Sequence, residues 1–225
     1  MKNIIVETNE YILRLLSSTW SGPVVLYISN EQFGDAGERI KDGVEQMSGV
    51  PFTFCELLVK NWDRNLTPWK ANVNLKGRVF QGQAMELLHS LEENFVPKIR
   101  EYVKNTGIYI AGYSLAGLFS LWSLYESELF DGAACCSGSL WYPGWKEYAM
   151  QHPLKKSCSI YLSLGKKEKN AKHPLMKNVE DAMKLQYELL QQDRNIDMLH
   201  MDWHEGGHFN NMEKRMEMGI RWLIA

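Results

Sequence analysis

The chain has 225 residues, of which 45% are hydrophobic and 23% are charged, and a formal net charge of −2 at pH 7. This composition excludes a disordered chain and predicts one globular α/β domain over residues 1–225. The nearly balanced charge does not favour a nucleic-acid partner, and no apolar run reaches the roughly 20 residues that a membrane-spanning helix needs.

Two features of the sequence predict a cytoplasmic protein. The first seven residues, MKNIIVE, lack the uninterrupted apolar core of a signal peptide because Glu7 interrupts it. The cysteines lie mostly in apolar, strand-like segments, which favours buried thiols in a reducing compartment over disulfides or a metal site. They are Cys55, Cys135, Cys136 and Cys158.

Short apolar runs alternate with longer amphipathic segments, which is typical of a largely parallel sheet flanked by helices. In chain order, strands are predicted at residues 24–28, 52–59, 108–111, 132–137, 159–164 and 196–203. Helices are predicted at 36–47, 87–95, 115–122, 176–190 and 211–224, and Pro97 breaks or restarts the second of them. A polar loop is predicted over 60–78, and loops of that length are uncommon unless they are functional.

The strand predicted at 108–111 runs into the sequence GYSLAG at 112–117, and a helix-forming segment follows directly. This pattern is typical of a nucleophile elbow, a sharp strand-to-helix turn that exposes a serine hydroxyl. Small neighbouring residues let the backbone bend and let a substrate approach. The pattern predicts that Ser114 is a nucleophile.

A serine hydroxyl is a weak nucleophile, so it needs a general base and a carboxylate that orients the base. In α/β-hydrolases the acid and then the histidine follow the nucleophile in the chain, each just past a strand. Glu168 is the first carboxylate beyond the strand at 159–164, and His208 follows two glycines beyond the last strand. The predicted catalytic set is therefore Ser114, His208 and Glu168.

Three other carboxylates are alternatives to Glu168 as the acid. Asp131 precedes a predicted strand, which places it at the wrong end of the sheet. Asp202 and Glu205 are so close to His208 in the sequence that a role in the local loop is favoured for both.

An oxyanion formed during the reaction needs two backbone N–H donors. Leu115 follows the nucleophile at the start of the predicted helix and is expected to supply one of them. The second is expected from Ser29 or Asn30, which follow the strand at 24–28, and the Asn30 side chain is a further donor. A plain turn is the alternative role for Asn30.

The segment HEGGH at 204–208 matches the pattern of zinc proteases, which requires a helix that presents both histidines on one face. Two adjacent glycines cost about 2 kcal/mol of helix propensity relative to alanine, and a strand-like run precedes them. We therefore predict a loop and no metal. A zinc peptidase that uses His204 and His208 stays the first alternative, and a non-catalytic binding protein is the second.

Three segments resemble the esterase branch of the α/β-hydrolases, which includes esterase D-like and enterochelin-esterase-like proteins. They are GYSLAGL at 112–118, SGSLWYP at 137–143 and GGHF at 206–209, and the resemblance extends from Val24 to the C-terminus. It implies a serine carboxylesterase that acts on a small-molecule ester without a cofactor. Ala116 stands where the strict pattern has glycine, and alanine is small enough for the turn. No insertion is long enough for a large cap domain, so we expect a compact α/β-hydrolase fold.

The tryptophans are candidates for a hydrophobic acyl or alcohol pocket. Trp141 follows the strand after the elbow, and Trp62, Trp69 and Trp145 are predicted to join it. Core packing is an equally favoured role for each of them. The preferred ester, and the choice between ester, thioester and amide, stay open. A homo-oligomer stays open too, because apolar helix stripes serve both cores and interfaces.

Overall fold

The computed structural model describes residues 3–18, 20–73, 75, 78–103 and 106–225. Positions 74, 76 and 77 of the loop predicted over 60–78 lie outside the described residues. So do Met1 and Lys2 of the N-terminal segment 1–7, which is predicted not to be a signal peptide.

The strands and helices of the described residues follow one another in the alternation that the sequence predicts. The strands are β1 Asn3–Glu7, β2 Tyr11–Leu15, β3 Val24–Ser29, β4 Thr53–Val59, β5 Lys70–Ala71, β6 Phe80–Gln81, β7 Ile108–Tyr113, β8 Gly132–Cys136, β9 Cys158–Gly165 and β10 Ile196–His204. The α-helices are α1 Ala36–Ser48, α2 Trp62–Asn65, α3 Ala84–Ser90, α4 Val96–Arg100, α5 Leu115–Glu126, α6 Trp145–Gln151, α7 Val179–Gln192 and α8 Met212–Ile224.

Eight of these strands form one sheet in the order β1-β2-β4-β3-β7-β8-β9-β10. Every neighbouring pair from β4 to β10 is parallel, whereas β2 is antiparallel to both β1 and β4. Parallel strands place their carboxyl ends along the same edge, where ligands bind in open α/β sheets. The segments that follow β3, β7, β8, β9 and β10 therefore meet at one edge of the sheet.

Helices cover both faces of the sheet, so its central strands are buried throughout. Alternate side chains of β3 point to opposite cores: Leu26 packs in one and Tyr27 in the other. On the Tyr27 face α1 and α8 pack against each other, with Ile40 and Ile220 in the core. On the other face α5 packs against β7 and β8.

The six predicted strands of the main sheet are confirmed, and their bounds differ from the predicted ones by at most two residues. The prediction missed β1 and β2, which form an antiparallel pair at the edge of the sheet, and it missed α6. The predicted loop over 60–78 is not irregular throughout, because it contains α2 and also β5, which pairs with β6. The fold class is the predicted one, a mostly parallel sheet flanked by helices, with no large cap domain among the described residues.

Pro97 changes the helix in which it lies without ending it. A π-helical turn, Leu91–Phe95, joins α3 to α4, and Pro97 lies in the first turn of α4. Proline lacks an N–H and its ring clashes with the carbonyl four residues earlier, so the preceding turn must widen. The buried face continues across the irregularity through Leu91, Phe95 and Ile99.

Gly112 precedes the turn between β7 and α5 at a point where the two elements touch. A Cβ atom at this position would lie 2.3 Å from both the carbonyl carbon and the carbonyl oxygen of Ala116. Backbone cannot move aside as a flexible side chain can, so the start of α5 would have to shift. The first glycine of the elbow pattern is therefore required by packing.

Replacing Gly112 with alanine tests this close contact. We expect Gly112→Ala to lower the free energy of unfolding by about 1–3 kcal/mol, the usual cost of overpacking. Urea unfolding followed by far-UV circular dichroism measures the change. Gly207→Ala is the control, because its Cβ would meet nothing closer than 3.7 Å. Equal stability of the two variants would contradict the prediction.

Candidate active site

Ser114 lies in the turn between the end of β7 and the start of α5 and has a strained backbone. Its φ is 60° and its ψ is −117°, a conformation that costs of order 1–3 kcal/mol and persists only when its surroundings hold it. Its N–H donates to the carbonyl of Cys136 at 3.1 Å, and its carbonyl accepts from the N–H groups of Leu118 and Ser139 at 3.0 Å each. These three bonds fix the turn, which is the geometry expected of a nucleophile elbow.

The three predicted catalytic side chains form a continuous hydrogen-bonded chain. Nε2 of His208 lies 3.0 Å from Oγ of Ser114, and Nδ1 of His208 lies 2.7 Å from Oε2 of Glu168. Ser114 follows β7, Glu168 follows β9 and His208 follows β10. These two hydrogen bonds therefore link a hydroxyl, an imidazole and a carboxylate in the order that lets the imidazole remove the hydroxyl proton.

Glu168 is buried, with 3% of its side chain exposed, yet it is held as a carboxylate. Its Oε1 accepts from Oγ of Ser137 at 2.7 Å, from the N–H of Gly165 at 2.8 Å and from Nη1 of Arg215 at 2.9 Å. Burial alone would raise the pKa of this carboxyl group, but the hydrogen bonds from His208, Ser137 and Gly165 outweigh burial and lower it. Glu168 is therefore ionised at neutral pH.

Arg215 on α8 is a site residue that the sequence analysis missed. Its side chain is 1% exposed, and its Nη1 reaches Glu168 while its Nη2 donates to the carbonyl of Gly207 at 3.0 Å. An arginine at spacing i, i+3 from Met212, on the stripe predicted to face the core, was the available signal. Long charged residues on such a stripe are rare unless they are paired.

Tyr113 also holds the loop that carries His208. Its hydroxyl donates to the carbonyl of His208 at 2.6 Å and accepts from Nη1 of Arg215 at 2.9 Å. Burial raises the pKa of Tyr113 to about 12, so the phenol keeps its proton and its role as a donor at neutral pH. The aromatic ring lies 5.3 Å from the imidazole, measured between centroids.

A cleft of about 1130 Å³ opens above Ser114 and His208. Of the residues predicted to bind substrate or the oxyanion, it is lined by Asn30, Trp62, Leu115 and Trp141. Leu115 is the first residue of α5, so its N–H belongs to the turn of the helix that has no intrahelical acceptor. The side-chain oxygen of Asn30 accepts from the N–H of Gln32 at 2.9 Å and so caps a short 3₁₀ helix.

Three residues of the predicted site lie away from this cleft. Ser29 is fully buried as the last residue of β3, where it pairs with Leu58. The indole of Trp69 donates to the carbonyl of Pro143 at 2.7 Å, and the indole of Trp145 donates to Gln186 in the core at 3.0 Å. For both tryptophans the contacts are those of packing, the alternative role that the sequence left open.

The other candidate carboxylates have partners elsewhere. Asp131 lies before β8, where it accepts from the N–H of Ile108 and from Lys156. Asp202 accepts from the hydroxyl of Tyr161 at 2.7 Å and lies 3.0 Å from Nε2 of His200. Glu205 is paired with exposed Lys166.

The segment that matches the zinc-protease pattern is not helical. His204 is the last residue of β10, and α8 begins only at Met212. Both ring nitrogens of His208 face protein groups, Ser114 and Glu168. Among the residues that the structure describes, no three His, Cys, Asp or Glu side chains are grouped so that they could hold a metal ion. The arrangement of donors therefore does not fit the metal site of that pattern.

The substitution Glu168→Gln tests how the buried carboxylate stabilises the fold. Folding lowers the pKa of Glu168 below its ordinary value of 4.5, so its stabilisation is present at neutral pH and is lost as the pH falls below about 4.5. We expect Glu168→Gln to cost about 1–3 kcal/mol of unfolding free energy at pH 7 and less near pH 4. Urea unfolding at both pH values measures this, with Glu188→Gln on the exposed surface of α7 as control. The same cost at both pH values would contradict it.

No protein-family model matches the sequence, and no curated protein matches it either. Solved structures do match. The siderophore hydrolase EstA from Aspergillus nidulans has a TM-score of 0.74 and 17% identity over 95% of this chain and 89% of its own. An IroE-like serine hydrolase from Shewanella oneidensis has a TM-score of 0.77 and 17% identity over 95% of this chain and 75% of its own.

The BES protein from Bacillus cereus has a TM-score of 0.73 and 17% identity, and the match covers 100% of this chain and 95% of that one. At this level of identity the likeness concerns the fold. Together with the sheet order and the elbow, it confirms that the chain has the α/β-hydrolase fold.

Proposed function

We propose that the protein is a serine hydrolase that cleaves carboxylic esters of small or medium acyl groups through a Ser-His-Glu triad. One observation carries the proposal: Oγ of Ser114, on a strained elbow at the edge of a 1130 Å³ cleft, lies 3.0 Å from Nε2 of His208. The names of the structural neighbours, which are hydrolases and esterases, support it.

In the proposed first step, Oγ of Ser114 attacks the ester carbonyl while His208 takes the hydroxyl proton. The charge that develops on the carbonyl oxygen is stabilised by the N–H of Leu115 and by a donor from Asn30, which lines the cleft. Glu168 stabilises the imidazolium through Nδ1. The C–O bond then breaks, and the alcohol leaves with the proton from His208.

In the second step, His208 removes a proton from water, and the resulting nucleophile attacks the acyl-enzyme carbonyl. The bond to Oγ of Ser114 breaks, the proton returns to that oxygen and the carboxylic acid leaves. These steps need no cofactor, because the three side chains supply the nucleophile, the base and the acid.

The cleft supports a substrate with an apolar portion. Trp62 and Trp141 line it, and so do Phe33 and Phe209, whose side chain is 93% exposed. Some structural neighbours are named for their action on siderophores, one of them for enterobactin and salmochelin. Enterobactin is therefore a substrate to test beside p-nitrophenyl esters of increasing chain length, and comparison of kcat/KM values selects between them.

The state of the cysteines and the placement of the triad support a cytoplasmic location and a single domain. Burial raises the pKa of all four cysteine thiols, which are free and unreactive in this state. Among the described residues no helix is long and apolar enough to cross a membrane. The free thiols favour a reducing compartment such as the cytoplasm. The triad residues all follow strands of one sheet, which supports one catalytic domain over residues 1–225.

The decisive variant is Ser114→Ala. We expect a fluorophosphonate probe to add once to the wild-type protein and not to the variant, and intact-mass analysis measures the addition. We expect p-nitrophenyl acetate turnover to fall by about 10⁴–10⁶-fold, because triad residues act as a unit.

The control for labelling is Ser157→Ala, an exposed serine directly before β9 and so at the opposite edge of the sheet. It is expected to label and to turn over substrate like the wild type. An unlabelled wild-type protein without turnover would contradict the proposal and favour a binding protein with a hydrolase fold.

A chelator separates the serine mechanism from the zinc-peptidase alternative. We expect prolonged treatment with EDTA or 1,10-phenanthroline to leave esterase activity and probe labelling unchanged, because the proposed steps use no metal. Loss of activity that returns on adding Zn²⁺ would instead support a metal site at His204 and His208.

A further inference from the structure

The buried guanidinium of Arg215 connects the groups on which the proposed triad depends. Its Nη1 lies 2.9 Å from Oε1 of Glu168, 2.8 Å from Oγ of Ser137 and 2.9 Å from the hydroxyl of Tyr113. Its Nη2 lies 3.0 Å from the carbonyl of Gly207. The guanidinium group therefore contacts the carboxylate of Glu168, the hydroxyl of Tyr113 at the end of β7 and the backbone of the loop that carries His208.

We propose that Arg215 is a positioning residue of the hydrolase: it holds Glu168 and the loop before His208 in the geometry that lets His208 accept the proton of Ser114. The inference rests on the proposed function and adds a fourth side chain to its site. Arg215 does not line the cleft, so it acts through Glu168 and the loop and does not contact the substrate.

The loop that carries His208 is held by hydrogen bonds from Arg215 as well as by bonds such as that from the N–H of Lys167 to the carbonyl of Gly206 at 3.0 Å. Residues 205–211 connect β10 to α8 without regular structure, and Gly206 has a φ of 92°. The carbonyl of Gly207 accepts from Nη2 of Arg215, and that of His208 accepts from Tyr113. The carbonyl of Glu205 lies 3.4 Å from Nη2. The backbone on both sides of the imidazole is thus tied to buried donors.

Packing around the guanidinium leaves no room for a larger neighbour. A Cβ atom on Gly165 would lie 2.6 Å from Nη2 of Arg215 and 2.9 Å from Oε1 of Glu168. The glycine at the end of β9 therefore gives Arg215 access to the carboxylate. A buried cation in such a fitted position is costly unless it is paired, and the carboxylate of Glu168 is its ion-pair partner.

The planar guanidinium group of Arg215 makes two sets of contacts that the ammonium group of a lysine cannot make together. Nη1 and Nη2 point to different partners, Glu168 on one side and the loop carbonyls on the other. Lysine carries the same charge at a single atom and cannot serve both sides at once. Replacement by lysine therefore separates the geometric contribution of Arg215 from that of its charge.

The charge of Arg215 also affects the protonation of the site. Loss of a nearby positive charge raises the pKa of both an imidazolium and a carboxyl group, so a neutral residue at 215 moves the loss of activity in acid to higher pH. Several ionisable groups lie around Arg215 on the elements packed against it. Tyr113 of β7 and Glu168 after β9 bind its guanidinium, and Cys136 of β8 contacts its backbone carbonyl. The charge of Arg215 acts on Cys136 and on His204 at the end of β10, and His208 after β10 is bound to Glu168. On its own helix, Glu213, Lys214 and Glu217 pair away from it.

The test compares Arg215→Lys and Arg215→Met with the wild type, using kcat per fluorophosphonate-titrated site and the pH profile of kcat/KM for p-nitrophenyl acetate. Titration of active sites removes the effect of any unfolded fraction. We expect both variants to lose about 10–100-fold in kcat with KM within about 3-fold, because the interaction orients groups and does not bind substrate. We expect the acid limb to move to higher pH in Arg215→Met alone.

Arg221→Lys is the matched control, because Arg221 lies on the same helix, is only partly buried and donates from Nη2 to the carbonyl of Met47 at 3.3 Å, away from the site. It is expected to match the wild type in every measurement. Wild-type kcat per site and an unmoved acid limb in Arg215→Met would overturn the proposal. If Arg215→Met does not fold, unchanged kcat per site in Arg215→Lys would overturn it.

A separate measurement distinguishes failure of this inference from failure of the proposed function. In the background of Ser114→Ala, NMR detects the proton between Nδ1 of His208 and the carboxylate of Glu168 without any turnover. A shift or loss of this resonance in the double variant Ser114→Ala/Arg215→Met, relative to Ser114→Ala alone, supports the role of Arg215 even where no ester is cleaved. An unchanged resonance beside an active wild-type enzyme overturns the inference and leaves the proposed function intact.

Discussion

A carboxylate that is buried and still ionised needs donors on nearly every side, and Glu168 obtains them from several elements. Oε1 faces Ser137 after β8, Gly165 at the end of β9 and Arg215 on α8, while Oε2 faces His208 after β10. Each donor offsets part of the free-energy cost of burying the charged carboxylate. The ends of three neighbouring strands and one helix are thus held around one charged group.

The same strand ends hold the nucleophile in its strained turn. The carbonyl of Cys136, the last residue of β8, accepts from the N–H of Ser114, and Ser139 donates back to the carbonyl of Ser114. Ser137 lies between them with a φ of 47° and turns its hydroxyl toward Glu168. The segment after β8 therefore fixes both ends of the hydrogen-bonded chain, the hydroxyl and the carboxylate, although it supplies none of the three predicted catalytic residues.

The sequence predicted the parts of this arrangement that depend on local pattern. Alternating strands and helices, the elbow around Ser114, and the order of Glu168 and His208 all follow from residue type and chain order. The edge pair β1 and β2 was missed because two five-residue strands in antiparallel order depart from the strand–helix alternation. Trp145 was grouped with Trp141 by nearness in the chain and Trp69 by its place in the loop predicted over 60–78, and neither criterion says on which side of a helix or loop an indole lies.

Arg215 could not be assigned from its position in the sequence, because its partners are distant in the chain. Tyr113 is 102 residues before it and Ser137 is 78 before it, and only the sheet order brings them together. An arginine on an apolar helical stripe indicates that it has a buried partner, but the pattern does not identify that partner. The partner became identifiable once β7, β8 and β9 were known to lie side by side, with their carboxyl ends against the start of α8.

That dependence on sheet order has a consequence for folding. The hydroxyl, carboxylate, imidazole and guanidinium come from segments more than 100 residues apart at the extremes, so no fragment that lacks the last strand and α8 contains a complete hydrogen-bonded chain. Without α8, Glu168 lacks its cationic partner and the loop with His208 lacks the contacts of Arg215 with the carbonyls of Glu205 and Gly207. The complete hydrogen-bonded geometry at Ser114 therefore depends on the sheet through β10 and on α8, whereas the elbow itself depends on contacts among β7, α5, the end of β8 and the segment after it.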